Sequence, residues 1–258
     1  PVILAPGVTL QGAGPQATRI QHFAAADDQH TVLTAGPNTV VKDCMVALPG
    51  LFSAVTTLIS IPDVAAELDN VTIDGGDNLF SIGVQASGVN SSAGEIRNCL
   101  IRRVQFGIQA VQTAINITGN TFDGIRGDAV FIRLPDLKDG EQVLLPMLGR
   151  DTWQNTGQNA FRNVLGDFVV SFSEETTMAE NNDWGVYEKA SIETRMFGPV
   201  DFEPYVGQTE KPGQSWDCSA EPSVVSRGFS VADLLLGIVV FGLLTRYSRV
   251  ISPRDHRR

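Results

Sequence analysis

Residues 96–130, IRNCLIRRVQFGIQAVQTAINITGNTFDGIRGDAV, contain one short phrase twice. It reads Ile96-Arg97-Asn98-Cys99-Leu100-Ile101 and then Ile117-Thr118-Gly119-Asn120-Thr121-Phe122, with apolar side chains at the first and sixth places and Asn at the third or fourth. Residues 41–46 (VKDCMV), 68–73 (LDNVTI), 156–161 (TGQNAF) and 179–184 (AENNDW) repeat it, the last two opening weakly with Thr156 and Ala179. First places at 41, 68, 96, 117, 156 and 179 give steps of 27, 28, 21, 39 and 23 residues. Steps of this size mark a solenoid, whose repeats stack because none can bury its apolar face alone.

The second half of each repeat is also β-prone. Eleven residues after a first place, Gly107, Asp128 and Asp167 open the runs GIQAV, DAVFIRL and DFVVSFS, and residues 53–61 and 81–86 supply matching runs earlier in the chain. No 3.6-residue periodicity lies between them, which excludes helical solenoids and βαβ units. An all-β chain of parallel strands, stacked coil on coil ~4.8 Å apart, is what remains.

The phrase resembles the coils of the right-handed parallel β-helix of the pectin-lyase-like superfamily, over roughly residues 8–187. In that family an Asn at the turn stacks on its neighbours as a hydrogen-bonded ladder. The resemblance assigns that role here to Asn70, Asn98, Asn120, Asn159 and Asn182. The third-place column reads Asp43, Asn70, Asn98, Gly119, Gln158, Asn181, and the fourth reads Cys44, Val71, Cys99, Asn120, Asn159, Asn182. Both columns suit a buried turn. The scaffold carries lyases, hydrolases, adhesins and purely structural coils, so it implies fold more than activity.

The β-helix is expected over residues 1–202. Residues 2–14 already look like the opening coils of secreted members, so a signal peptide and an N-terminal cap are expected upstream. Cys44 and Cys99 share a column with Val71 between them; two rungs, ~9.6 Å, exceed the reach of a disulfide. They read as small buried hydrophobes. The fifth repeat is too long by residues 134–150, LPDLKDGEQVLLPMLGR. That excess should leave the stack as a loop whose apolar residues either fold back on the wall or border a groove. Residues 185–202 lose the pattern and are expected to cap the open end.

Residues 203–228 are rich in Pro, Gly, Ser and charge and read as a linker. Residues 229–244, FSVADLLLGIVVFGLL, are apolar apart from Ser230 and Asp233, and five Arg follow in residues 245–258. A hydrophobic helix at residues 229–247, acting as membrane span or sorting segment, fits if Tyr247 and the Arg stems snorkel. The basic tail, residues 248–258, then lies in the cytoplasm and the repeats lie outside, in the cell envelope or extracellular. The arrangement resembles bacterial envelope-sorting tails. Ala220-Glu221-Pro222-Ser223 is similar to the Pro-Glu-Pro signature of exosortase substrates, with Ala for the first Pro and a longer spacer and tail.

The chain carries a net charge of −10; residues 245–258 hold five Arg against Asp255, leaving −14 on residues 1–244. Such a surface repels nucleic acid, and also acidic polysaccharide unless a divalent cation bridges them. Polygalacturonase-like members use a Gly-His-Gly motif, whereas the histidines here are His22, His30 and His256, in no such motif. Pectate-lyase-like members hold Ca²⁺ through Asp and Glu and use Arg or Lys as base. That resemblance nominates Asp74, Asp77 and Asp123 as calcium ligands, Asp74 and Asp123 as acid/base groups, and Arg102 or Arg126 as base. The seventh-place column, Ala47, Asp74, Arg102, Asp123, Arg162, Gly185, alternates in sign and reads equally well as a neutralised ladder. Trp184 sits at an inward sixth place and reads as core rather than as a sugar platform with Tyr187.

The expected function is therefore non-catalytic: a surface-displayed β-helix for adhesion, glycan binding or envelope structure, needing no cofactor. Its partners would be a polysaccharide or surface glycan, and the membrane through the C-terminal segment. The alternative is a Ca²⁺-dependent polysaccharide lyase or related carbohydrate-active enzyme.

Overall fold

First-place and sixth-place residues become the inward points of two separate walls. The computed structural model describes residues 1–21, 30–50, 54–62, 65–88, 94–135, 142–150 and 156–208. Among these, the second wall stacks Thr9–Gln11, Thr39–Lys42, Ala66–Asp69, Glu95–Arg97 and Asn116–Thr118. The third stacks Arg19–Gln21, Met45–Ala47, Thr72–Asp74, Leu100–Arg102, Thr121–Asp123 and Ala160–Arg162. A long first wall holds eight strands, Val2–Ile3, His30–Thr34, Thr56–Pro62, Ser81–Ser87, Phe106–Val111, Val130–Arg133, Val169–Ser171 and Met196–Phe197. The chain visits the walls in the order first, second, third and returns, and every pairing is parallel. This order fits a parallel β-helix.

Register follows the repeated phrase. Val41, Leu68, Ile96 and Ile117 pair in a column, as do Val46, Ile73, Ile101, Phe122 and Phe161. All nine are at most 1% exposed, because period-two alternation sends every second side chain of a strand to the same face. Toward the C-terminal end the column changes to large rings. Phe122 stacks on Phe161 at 4.9 Å and Phe161 on Trp184 at 4.5 Å, with Phe168 tilted against both Phe161 and Trp184.

Between the second and third walls the chain turns on two residues, and the structure separates the two amide-rich columns. Third-place residues take the left-handed conformation, φ 53° at Asn70 and Asn98 and 60° at Gln158 and Asn181. Asn tolerates this region because its short polar side chain bonds locally. Asn70 and Asn98 are exposed and donate outside the coil, to Asp43 (2.8 Å) and Asp69 (3.1 Å). They take no part in the interior ladder.

Fourth-place residues point inward. Asn120, Asn159 and Asn182 are completely buried, and each Oδ1 accepts the main-chain N–H one rung back: Cys99 to Asn120 (2.9 Å), Asn120 to Asn159 (3.0 Å), Asn159 to Asn182 (2.9 Å). Their amide nitrogens donate to the carbonyls of Ile96, Ile117, Leu148 and Ala179. Corner groups that no strand satisfies are thus paired inside the coil. In the earlier rungs Cys44, Val71 and Cys99 fill the same column as small apolar groups, the cysteines buried and free. Burial pushes the thiols up, Cys44 to about 11 and Cys99 to about 12, so both stay protonated and unreactive.

The long repeat resolves differently from its sequence reading. Thr156 is exposed and does not occupy the inward first place. The second wall is continued instead by residues of the excess itself, through the bridges of Asn116 with Met147 and of Gly149 with Ala179. Leu148 is fully buried and Leu144 nearly so. The stronger apolar group wins the core position and the weak Thr is left outside. Gly149 is needed at the point where the chain leaves, since a Cβ there would lie 1.9 Å from the Glu180 carbonyl oxygen.

Past residue 185 the phrase ends but the stack does not. A short helix, Lys189–Glu193, leads into Met196–Phe197 on the first wall, and Val200–Asp201 pairs with Thr177–Met178. Phe202 and Tyr205 are buried, and Val206 N–H still bonds the Asn182 carbonyl. Among the described residues no helix is long and apolar enough to cross a membrane. The hydrophobic segment and basic tail expected at residues 229–258, and Cys218, lie outside the described residues.

Candidate functional site

The seventh-place column lies in register on the third wall as Ala47, Asp74, Arg102, Asp123 and Arg162. Asp74 is 4% exposed. Its carboxylate is held by Arg102 (Nε 3.1 Å, Nη2 2.9 Å), by Arg103 Nε (2.9 Å) and by the Gly76 N–H (3.0 Å). Burial alone would push this carboxyl up. The bonds from Arg103 and Gly76 and the two guanidinium charges outweigh burial and hold it below the usual carboxylate range. Arg103 reaches Asp74 because its left-handed φ of 52° turns the corner there, a geometry invisible in a column read one place at a time.

The alternation does not continue as a simple ladder. Arg162 turns from Asp123 to Asp183, while Asp123 accepts from Asn163 (2.8 Å). Asp77 is half exposed and shared between Arg126 (3.4 Å) and Arg103 (4.0 Å). Asp74, Asp77, Arg102 and Arg126 therefore form one neighbourhood, joined through Arg103. Asp123 stands two rungs from Asp74, ~9.6 Å by strand spacing. Calcium ligands lie within about 2.6 Å of the ion, so Asp74 and Asp123 cannot bind the same one in this arrangement. Among the described residues no group of three or more His, Cys, Asp and Glu is placed to hold a metal ion.

Three further clusters escaped the sequence reading. On the second wall Arg97 bridges Glu67, Asp69 (3.0 Å) and Glu95 (2.5 Å), and the Arg97 hydrogen bond, more than its charge, lowers the Asp69 carboxyl. The second-place column Lys42, Asp69, Arg97 alternates in sign just as the seventh does, so this signal was available. Asp128 is pushed up to about 6, mostly by burial, with the Asp167 charge adding and the bond from the Asp167 N–H opposing.

The third cluster is a stripe of rings on the outer face of the first wall. Phe106, Phe131, Phe172 and Phe197 touch in sequence at 6.2, 5.5 and 5.2 Å, and Phe172 is 48% exposed. The outward row here reads Thr34, Ser60, Gln85, Gln109, then Phe131, Val170 and Phe197. An amide-lined strip thus passes into an aromatic one along the axis.

The chain matches no family model, no curated protein and no solved structure. Trp184 does not serve as an exposed platform; it is 1% exposed, while Tyr187 is 65% exposed.

Proposed function

We propose that this chain is a non-catalytic, right-handed parallel β-helix of the pectin-lyase-like kind, displayed at the cell envelope, whose first wall binds a glycan. The observation that carries this reading is the outward row of Gln85 and Gln109 running into the Phe131, Phe172 and Phe197 rings. Sugar rings have C–H faces that lie against aromatic side chains, and their hydroxyls suit amide groups that both donate and accept. The engagement of Asp74 by Arg102 and Arg103 supports a structural rather than a chemical use of that carboxylate. The hydrophobic segment at residues 229–247 is proposed as the anchor, with the Arg tail cytoplasmic.

The test is a glycan array probed with the full chain, its Phe172→Ser variant and its Gln109→Ala variant. Binding to neutral glycans that falls in both variants at unchanged melting temperature supports the reading. Binding indifferent to both would remove the first wall as the site, and calcium-dependent release of unsaturated products from an acidic polysaccharide would replace the reading with the lyase alternative. Recovery of the chain in the soluble fraction of its own cells would remove the anchor.

A further inference from the structure

The outward row of the first wall changes character between two neighbouring rungs. Gln109 pairs in register with Phe131, Phe131 with Val170, and Val170 with Phe197. Up to this boundary every side chain of the row, at Thr34, Ser60, Gln85 and Gln109, both donates and accepts. From Phe131 onward none does either, and Phe172 adds a ring that is 48% exposed.

A ligand made of sugar throughout suits only the first half of this row. Its C–H faces have rings to lie on beyond Gln109, but its hydroxyls would stand over side chains with no polar atom. An aromatic group suits the second half. The rings there already meet at tilted angles, 58° between Phe106 and Phe131 and 55° between Phe131 and Phe172, a packing that one more ring extends. At the boundary itself Gln85 accepts from the Thr57 hydroxyl (3.4 Å), whereas the partly exposed Gln109 amide bonds to no described residue. Gln109 and Phe131 lie one strand spacing apart, ~4.8 Å. That is close to the separation of a sugar from an aromatic ring joined to it through a glycosidic oxygen.

Building on the glycan reading of this wall, we propose that the boundary binds an aryl glycoside. Its sugar hydroxyls meet the Gln109 amide, and its aromatic aglycone lies against Phe106, Phe131 and Phe172. The ligand is thereby oriented along the axis, aglycone toward the C-terminal coils. Being neutral, it meets no charge penalty from a chain of net charge −10.

Phenyl β-D-glucoside is the probe, with methyl β-D-glucoside and 2-phenoxyethanol as partners that each keep one half of it. All three are titrated into the full chain and followed by saturation-transfer NMR. The phenyl glucoside should bind at least about tenfold more tightly than the methyl glucoside, the gain expected from covering ~60 Å² of aglycone. It should also bind more tightly than 2-phenoxyethanol, with saturation reaching both its phenyl and its sugar protons. Phe172→Ser, at an exposed ring, should erase most of the phenyl advantage and leave the methyl glucoside unchanged, whereas Gln109→Ala should weaken both glucosides. Equal affinities for the two glucosides, both reduced in Gln109→Ala, would overturn the aryl proposal and leave the glycan reading standing. Binding of 2-phenoxyethanol as tight as that of the phenyl glucoside would overturn both, since the rings would then be a plain apolar surface. No transfer to the phenyl glucoside at ~10 mM, well beyond a millimolar site, would overturn the aryl proposal, with the glycan array deciding the broader reading separately.

Discussion

Replacing Asn159 with Ala should remove more stability than any exposed Asn in the chain supplies. Asn159 is fully buried. Its Oδ1 is the acceptor for the Asn120 N–H (3.0 Å), and its Nδ2 donates to the Ile117 and Leu148 carbonyls (both 2.9 Å). Leu148 keeps a second donor in Asn182 (3.2 Å), so the clearest orphan is the buried Asn120 N–H. One orphaned buried group costs about 1–3 kcal/mol, and the lost carbonyl bonds and the small void bring the expected total to about 3 kcal/mol. At a urea dependence of ~2 kcal/mol per M, the unfolding midpoint should fall by about 1.5 M. Asn159→Asp keeps the shape but turns an oxygen toward those two carbonyls, so its loss should be at least as large. Asn98→Gly is the control: it loses one exposed bond to Asp69 but relieves a left-handed φ of 53°, and the two effects should cancel to within ~1 kcal/mol. Urea curves of the full chain decide. A shift under ~0.3 M for Asn159→Ala would refute the interior ladder as a source of stability.

Two further outcomes follow from burial and charge. Leu148→Ala should cost about 2–5 kcal/mol, because Leu148 fills an inward position of the second wall. Leu165→Ala, at a residue 78% exposed, should leave the thermal midpoint nearly unchanged, and equal effects would put Leu148 outside the core. Asp128 has a folded pKa of about 6, above the unfolded value of ~3.9, so its contribution is complete below pH ~3.9 and is lost as pH rises through 6. Asp128→Asn keeps an acceptor for the Asp167 N–H. It should be near neutral at pH 4 and stabilising by on the order of 1–3 kcal/mol at pH 8, read as a change in the slope of stability with pH; parallel pH profiles would contradict this.

Walls and register were legible because apolar first and sixth places recur in every coil, and strand alternation then leaves them one face to occupy. The step from Val46 through Ile73, Ile101 and Phe122 to Phe161 could be written down from the repeat alone. The adjacent amide columns were not separable. Asn98 and Asn120 are chemically alike, and only the left-handed backbone at the third place turns one out and the other in. Thr156 was misplaced because counting forward from a motif ignores competition from Leu148, which lies eight residues earlier and buries more apolar surface. At the candidate site the sign alternation of Asp74 and Arg102 was visible, but Arg103 was missed because a corner residue belongs to no strand column. The Phe stripe recurs at steps of 25, 41 and 25 residues, close to the repeat lengths. Reading the outward places as carefully as the inward ones would have found it.

The measurement that bears most directly on a non-catalytic role is a calorimetric calcium titration of the full chain beside Asp74→Ala and Asp123→Ala. With Asp74 held by two guanidiniums and Asp123 two rungs away, no saturable calcium uptake depending on these carboxylates is expected. Stoichiometric binding lost in both variants would contradict that expectation and restore the lyase.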